Sequence, residues 1–419
     1  MMPHSTQKNL ISQLIPWVMW GLGATAFFIE YLIRVAPAAM VPSLMESFSA
    51  TSLDISAFAA FFLYAYVFMQ IPVGLLVDRF GARVCLGLST AICAVSTLIF
   101  ASTQDLFTAQ VSRLLLGFGA AFALVGTLKL ALVWFKPGSF SIIVGLTQTL
   151  GMIGGATGVC VMGRLAELED WRISIHLFGE VLAVLAVLIL LFVRNGSTTH
   201  LTANTTLPLQ QSFALVFKKP ETWLIAIFTG LLYMPTAVIA ELWGGYYLMN
   251  TQEIPATVAN DGISIIFLGW AIGGPLSGFV SNRVGRKPIM IGSAFTSLLL
   301  IVSILYLPPM PIPLLYGLLF TYGLCNSGMV AAYTAIAELS PPAVAGIALG
   351  FVNGMSVIIG AFCQQAVGAL IDWLHSQRYP VRIDIGPEEL KLAMVIVVIG
   401  IALGFIASLF TQETLRKHA

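Results

Sequence analysis

Long apolar runs alternate with short polar breaks along almost the whole chain. Twelve runs can be separated by turn and charge punctuation. Their centres fall near Phe28, Tyr66, Ala94, Ala120, Leu150 and Ala183, then near Pro235, Gly269, Leu298, Cys325, Met355 and Ile399. A helix needs about 20 apolar residues to cross the hydrocarbon of a bilayer, so the pattern predicts an all-α membrane protein with twelve transmembrane helices. The longest polar stretch, Arg194 to Pro220, carries Ser-Thr-Thr-His and Asn-Thr-Thr runs and the Lys218-Lys219 pair, and reads as a linker. The expected organisation is a six-helix bundle over 1–193, a cytoplasmic linker over 194–220 and a second six-helix bundle over 221–419.

Composition strengthens this picture. Of 419 residues, 58% are hydrophobic and 9% charged, against about a quarter charged in soluble domains. A net charge of +1 offers no electrostatic case for nucleic acid. Cys85, Cys93, Cys160, Cys325 and Cys363 fall in apolar stretches without metal-ligand spacing and read as small apolar fillers. A cleaved signal peptide is rejected, because cleavage near Ala24-Thr25-Ala26 would remove half of a span that the internal repeat requires. Basic residues set the orientation. With both termini in the cytoplasm, Lys8, Arg79, Arg83, Lys136, Arg194, Lys218, Lys219, Arg283, Arg286, Lys287, Arg416 and Lys417 lie inside, and Arg164, Arg172, Arg378, Arg382 and Lys391 outside. A multi-pass protein of a bacterial inner membrane is expected, with its working unit a monomer.

The repeat is visible in two loops. Gly74-Leu75-Leu76-Val77-Asp78-Arg79-Phe80-Gly81-Ala82-Arg83 follows the second run, and Gly278-Phe279-Val280-Ser281-Asn282-Arg283-Val284-Gly285-Arg286-Lys287 follows the eighth, 204 residues later. At an offset of 205, Gly155 pairs with Gly360 and Gly163 with Gly368. Matched halves imply a pseudo-twofold axis along the membrane normal, with a binding site between them. The two loops resemble the signature loop of the major facilitator superfamily and its second copy. Arg113-Leu114-Leu115-Leu116-Gly117-Phe118-Gly119 resembles that family's next motif. The resemblance implies twelve helices, alternating access by rocking of the halves, and no cofactor. It makes Gly74, Asp78, Arg79, Gly81, Arg83, Asn282, Arg283, Gly285 and Arg286 gating residues. Glycines permit the tight turn, Asp78 suits the N-terminal end of a neighbouring helix, and Arg79 and Arg83 suit other helix ends.

Ionisable groups inside the bilayer cost roughly 2.5–3.5 kcal/mol each on insertion scales, so each needs a reason. Glu30 and Arg34 are four residues apart, a spacing that allows an ion pair. Glu241 lies in the seventh run, the repeat partner of the first, near the counterpart of Arg34. A carboxylate from one half facing a guanidinium from the other suits a small zwitterion, and also suits proton coupling. Arg34 and Glu241 are therefore substrate-binding candidates, and Glu30, Glu241 and Arg113 proton-coupling candidates, with bracing the other role for Arg113. His176 and Glu180 read as a hydrogen-bonded pair, Lys129 as a snorkelling lysine, Glu338 as a partner of Arg283 or Arg286, and Asp261 as solvated. Tyr64, Gln70, Gln148, Trp270, Asn326 and Asn353 are candidate uncharged substrate contacts. Tyr66 lies with Tyr64 and Gln70 in the second run and is a candidate of the same kind.

Glycines mark the fifth and eleventh runs as small-residue faces able to slide. The fifth lacks the Gly-Pro pair of drug exporters, which argues against efflux. Phe28-Ile29-Glu30-Tyr31-Leu32-Ile33-Arg34-Val35-Ala36-Pro37 resembles the first helix of phagosomal nutrient transporters of intracellular bacteria, with Asn353, Gly360, Gln365, Gly368 and Asp372 in keeping. That resemblance implies import of amino acids or nucleosides. A siderophore would want more cationic groups, a membrane-embedded enzyme a buried His-Asp, Ser-His or metal cluster, and a receptor a sizeable soluble segment. The expected function is proton-coupled uptake of a small polar nutrient such as an amino acid, with no cofactor.

Overall fold

The computed structural model describes residues 4–136, 140–168, 170–195, 209–341, 344–378 and 385–415. Arg382, Arg416, Lys417 and linker residues 196–208 lie outside the described residues, as does the side chain of Lys8. Among the described residues, twelve helices are long and apolar enough to cross a membrane: Leu14–Ala39, Ser52–Gln70, Ala82–Ser102, Leu106–Trp134, Ile142–Leu165, Trp171–Phe192, Pro220–Gln252, Ala256–Val284, Arg286–Tyr306, Ile312–Leu339, Ala345–Gln377 and Pro387–Phe410. They are spans 1 to 12 below. Most centres sit within about a turn of the expected positions. Span 11 is centred farther along than Met355, because its helix runs from Ala345 to Arg378.

Capping explains several starts. Thr51 and Asp54 form a capping box at span 2, and Asp105 and Asp170 cap spans 4 and 6. Hydrogen bonds from the Thr108 backbone N–H and hydroxyl hold the Asp105 carboxyl below the usual carboxylate range. Each half has six crossings, so the start of span 1, the end of span 12 and the span ends that flank the linker share one membrane face, called the terminus face here. The other is the far face.

The two halves repeat in detail. Gly81 and Gly285 have φ of 83° and 117°, each at the sharp turn between spans 2 and 3 or spans 8 and 9, where an L side chain would be strained. A Cβ on Gly117 of span 4 would strike the Phe62 carbonyl of span 2, and one on Gly323 of span 10 would strike the Ile266 carbonyl of span 8. The same close approach of two helix backbones thus occurs at matching places in both bundles.

Across the middle, span 2 packs on span 11, span 5 on span 8 and span 1 on span 7. The halves are tied on the far face. Arg164 meets Asp261 at 2.8 Å, and Asp372 accepts the backbone N–H groups of Ser52 and Leu53 at 3.0 and 2.8 Å. Trp243 Nε1 donates to Ser56 Oγ at 3.1 Å. Contact reaches as far as Gly155 against Phe267 and Gly354 against Val67. Beyond it the halves part. Gly74 lies two turns past Val67, Gly274 two turns past Phe267, and Gly350 and Gly346 one and two turns from Gly354. A Cβ at any of these four would meet nothing within 4 Å. The protein is closed on the far face and open on the terminus face.

Candidate functional site

Span 7 departs from a plain helix where the site lies. Pro235 has no N–H to offer the preceding turn, and Thr236–Trp243 follows in π register. The Thr236 N–H goes to the Tyr233 carbonyl and the Gly244 N–H to the Ile239 carbonyl. Side chains from neighbouring spans take up carbonyls left over. Asn326 Nδ2 donates to the Leu232 carbonyl at 2.9 Å and Gln364 Nε2 to the Ala237 carbonyl at 2.7 Å. In an α-helix two residues eight apart lie about 80° out of line, and wider π turns close most of that gap. Tyr233 and Glu241 consequently reach the same centre.

There Arg34 of span 1 meets Glu241. Its Nη2 lies 2.8 and 3.0 Å from the two carboxylate oxygens, with the side chains 10% and 4% exposed. The same nitrogen donates to the Tyr233 hydroxyl at 2.5 Å, and that hydroxyl donates to Glu241 Oε1 at 2.7 Å. The guanidinium also faces the rings of Tyr31, Phe62 and Tyr66 at 5.1, 5.4 and 5.7 Å, a favourable cation–π surround. One charge pair, bridging the halves, is thus wrapped in aromatic walls.

The other candidates divide. Glu30 does not pair with Arg34. Four residues of helix separate them, but Glu30 points into the first bundle against the Cys93 thiol and is 2% exposed. Neither oxygen has a hydrogen bond of normal geometry among the described residues. Arg34 prefers Glu241 because the opposite half brings both oxygens within reach, which a same-helix neighbour cannot match. Arg113 donates to the Ile33 and Arg34 carbonyls at 3.3 and 2.9 Å, bracing the end of span 1. Asn326, fully buried, is spent on span 7 through Leu232 and Thr236. Tyr64 donates to Gln365 Oε1 across the halves at 2.9 Å, and Tyr333 to Asn353 Oδ1 at 3.0 Å. The Trp270 indole N–H is buried with no partner among the described residues. Gln70 lies one turn from Tyr66, and Gln148 two turns from Gly155, both toward the opened side.

In the loops, Asp78 pairs with Lys129 of its own half at 2.7 Å rather than with a helix N-terminus. The ammonium reaches it directly from span 4, so Lys129 is a partner as well as a snorkelling residue. Arg83 donates to the Leu190 carbonyl at 2.8 Å, while Arg79 lies over its own Phe80 ring. In the second copy, Arg286 pairs with Glu338 at 2.9 Å, Arg283 lies over Phe279, and Asn282 is exposed. Glu413 accepts the Arg286 and Lys287 backbone N–H groups at 2.9 and 3.1 Å. These loop contacts stay within one half. Asp261 is engaged by Arg164 and is not merely solvated. His176 and Glu180 pair at 3.4 Å on the outer surface of span 6. Sequence reasoning missed Tyr233, whose signal was a tyrosine two residues before the proline of span 7. It also missed the Arg164 partnership, which depends on tertiary docking.

Two like bundles of six helices, meeting at a buried charge pair and parted on one face, define a membrane transporter. The chain belongs to the Major Facilitator Superfamily, whose family model matches residues 23–363. It is 25% identical over 354 residues to the membrane sensor protein UhpC of Salmonella typhimurium, covering 79% of each chain. It is 22% identical to the hexuronate transporter of Bacillus subtilis, over 62% of this chain and 64% of that one. Among solved structures, a bacterial homologue of the human lysosomal transporter Spinster, inward-facing and unoccupied, superposes with a TM-score of 0.79 at 14% identity. That match covers 95% of this chain and 98% of the other, and bears on the fold alone.

Proposed function

We propose that this transporter takes up a small carboxylate-bearing nutrient, foremost an amino acid, together with a proton. The observation that carries the reading is the Arg34–Glu241 pair joining the two halves. The pair is neutral as a unit, and separating its charges in an apolar shell is costly. A load that enters between them must therefore replace both interactions. A zwitterion does so with its carboxylate on Arg34 and its amine on Glu241. A simple organic anion does so only if a proton accompanies it to Glu241. This second reading is favoured by the hexuronate transporter among the relatives, since a hexuronate bears one carboxylate. Trp270, Gln70, Gln148, Tyr64 and Asn353 would contact the rest of the solute.

The excess of Lys and Arg on the terminus face supports a cytoplasmic assignment for that face, so the open state would release solute inward. With a zwitterion, whose amine occupies Glu241, Glu30 is the proposed carrier of the coupling proton. An ionised carboxylate without a partner is costly in such surroundings, and no cation pairs with Glu30 among the described residues. The signature loops, bound within their own halves in this state, are proposed to engage across the halves when the terminus face closes. Glutamine at Glu30 is expected to abolish acceleration by an inward-acid gradient while leaving equal-pH exchange of labelled for unlabelled solute.

The test is uptake by purified protein in liposomes, using labelled amino acids and hexuronates with and without that gradient. Gradient-stimulated uptake that is lost in Arg34→Ala and Glu241→Gln is expected. Wild-type-like transport in both variants would remove the pair from the site. Solute binding without any uptake by folded protein would favour a sensor, the printed role of the UhpC relative.

A further inference from the structure

Tyr233 is where the two partners of the central pair meet a third group. Its hydroxyl carries one proton and two lone pairs. Arg34 Nη2 donates into the oxygen, which leaves the phenolic proton for Glu241 Oε1 at 2.7 Å. The ring is 8% exposed and rests against Gly360 of span 11, so the hydroxyl is held by packing as well as by its bonds. Oε2 of Glu241 accepts from Arg34 at 3.0 Å and has no bond from the tyrosine. The two carboxylate oxygens are thereby made unequal.

We propose that Tyr233 is a positioning residue that couples occupancy of Arg34 to protonation of Glu241, an inference that rests on the organic-anion form of the functional reading above. When a solute carboxylate draws Arg34 away, the hydroxyl loses its donor from Arg34 but keeps its bond to Oε1. Glu241 then stays oriented with Oε2 free. The proton adds at Oε2, no covalent bond to the solute forms, and release of the solute lets Arg34 return as the proton leaves. The charged and titratable groups around Glu241 are Arg34 and Tyr31 from span 1, Arg113 from span 4 and Tyr233 itself, with Tyr66 of span 2 facing Arg34. Tyr233 is the one among them that hydrogen-bonds Arg34 and Glu241 at once.

Tyr233→Phe keeps the ring and removes the hydroxyl. In liposomes, gradient-driven uptake is expected to fall about tenfold, while exchange at equal pH stays within about twofold of the parent. A charge-assisted hydrogen bond to the carboxylate is lost, so the pH profile should move up by about one unit. Tyr306→Phe, whose hydroxyl donates to the Lys391 carbonyl away from the pair, is the control and should retain both modes and the profile. A titration of tryptophan fluorescence, with buried Trp243 two residues from Glu241 in span 7, reads the same shift in folded protein without solute. It keeps the inference testable if the solute class is wrong. An unshifted profile with unchanged uptake, or equal loss of both transport modes in a variant that still elutes as folded protein, would overturn the proposal.

Discussion

Arg34 and Arg113 lie against the Phe62 ring at 5.4 and 5.0 Å, yet their surroundings give them different work. Arg34 has a carboxylate from the other half. Arg113 spends its donors on the last carbonyls of the helix that carries Arg34, so it fixes where that guanidinium can reach. Asn326 makes the same point for uncharged groups. Its amide satisfies the Leu232 carbonyl and accepts from Thr236. Losing one such buried partner costs about 1–3 kcal/mol. Asn326→Ala should lower thermal stability by an amount in that range and leave KM within about twofold. A large rise in KM at unchanged melting temperature would return Asn326 to the solute contacts.

Span 7 and the far-face ends of spans 2 and 11 act as elements. The π segment brings Tyr233 and Glu241 into one cluster, and its cost in backbone bonding is met by Asn326 and Gln364 from spans 10 and 11. At the far face, Asp372 of span 11 accepts two N–H groups at the start of span 2, where the helix dipole favours a negative charge. This tie links the halves only while that face is closed. Asp372→Asn removes the charge and should shift the population toward the opposite state. Labelling of a cysteine put at Ala38, buried beside Gly245 in this state, should speed up about fivefold in a Cys160→Ser background. An unchanged rate would leave Asp372 as a cap without influence on the equilibrium.

For the whole molecule, the open positions on the terminus face are a record of motion still to come. Gly274 and Gly350 have empty space beyond them, on faces that pack against the other half one or two turns away. Rocking about the central contact would close that space. Leucine at Gly350 or Gly274 should leave folding and melting temperature almost unchanged but reduce transport by more than about tenfold, by blocking closure. Alanine at Gly117 is the contrast, since it meets the Phe62 carbonyl in the bundle itself and should destabilise the protein before any transport step. Full transport by Gly350→Leu would argue against closure of the halves along this face.

Spans, repeat and family were legible in the chain because each rests on local rules: a run of apolar residues has to be a helix in lipid, and a paired loop at a fixed offset has to mark two like halves. The facing of Arg34 and Glu241 was legible through the same repeat. Partnership was not. Spacing of four residues offered Glu30 to Arg34, but the tertiary fold turned Glu30 toward Cys93 and brought both Glu241 oxygens within 3.0 Å of one guanidinium nitrogen. Asp78 and Asp261, expected at a helix end and in solvent, found Lys129 and Arg164 because separate helices dock there. The sequence by itself determined the number of crossings, the twofold plan and which charges lie in the membrane, since hydrophobic periodicity and polar cost are properties of each segment. The tertiary structure alone decided which charges meet, where span 7 leaves α register and which face is open, because those depend on distances between segments far apart in the chain.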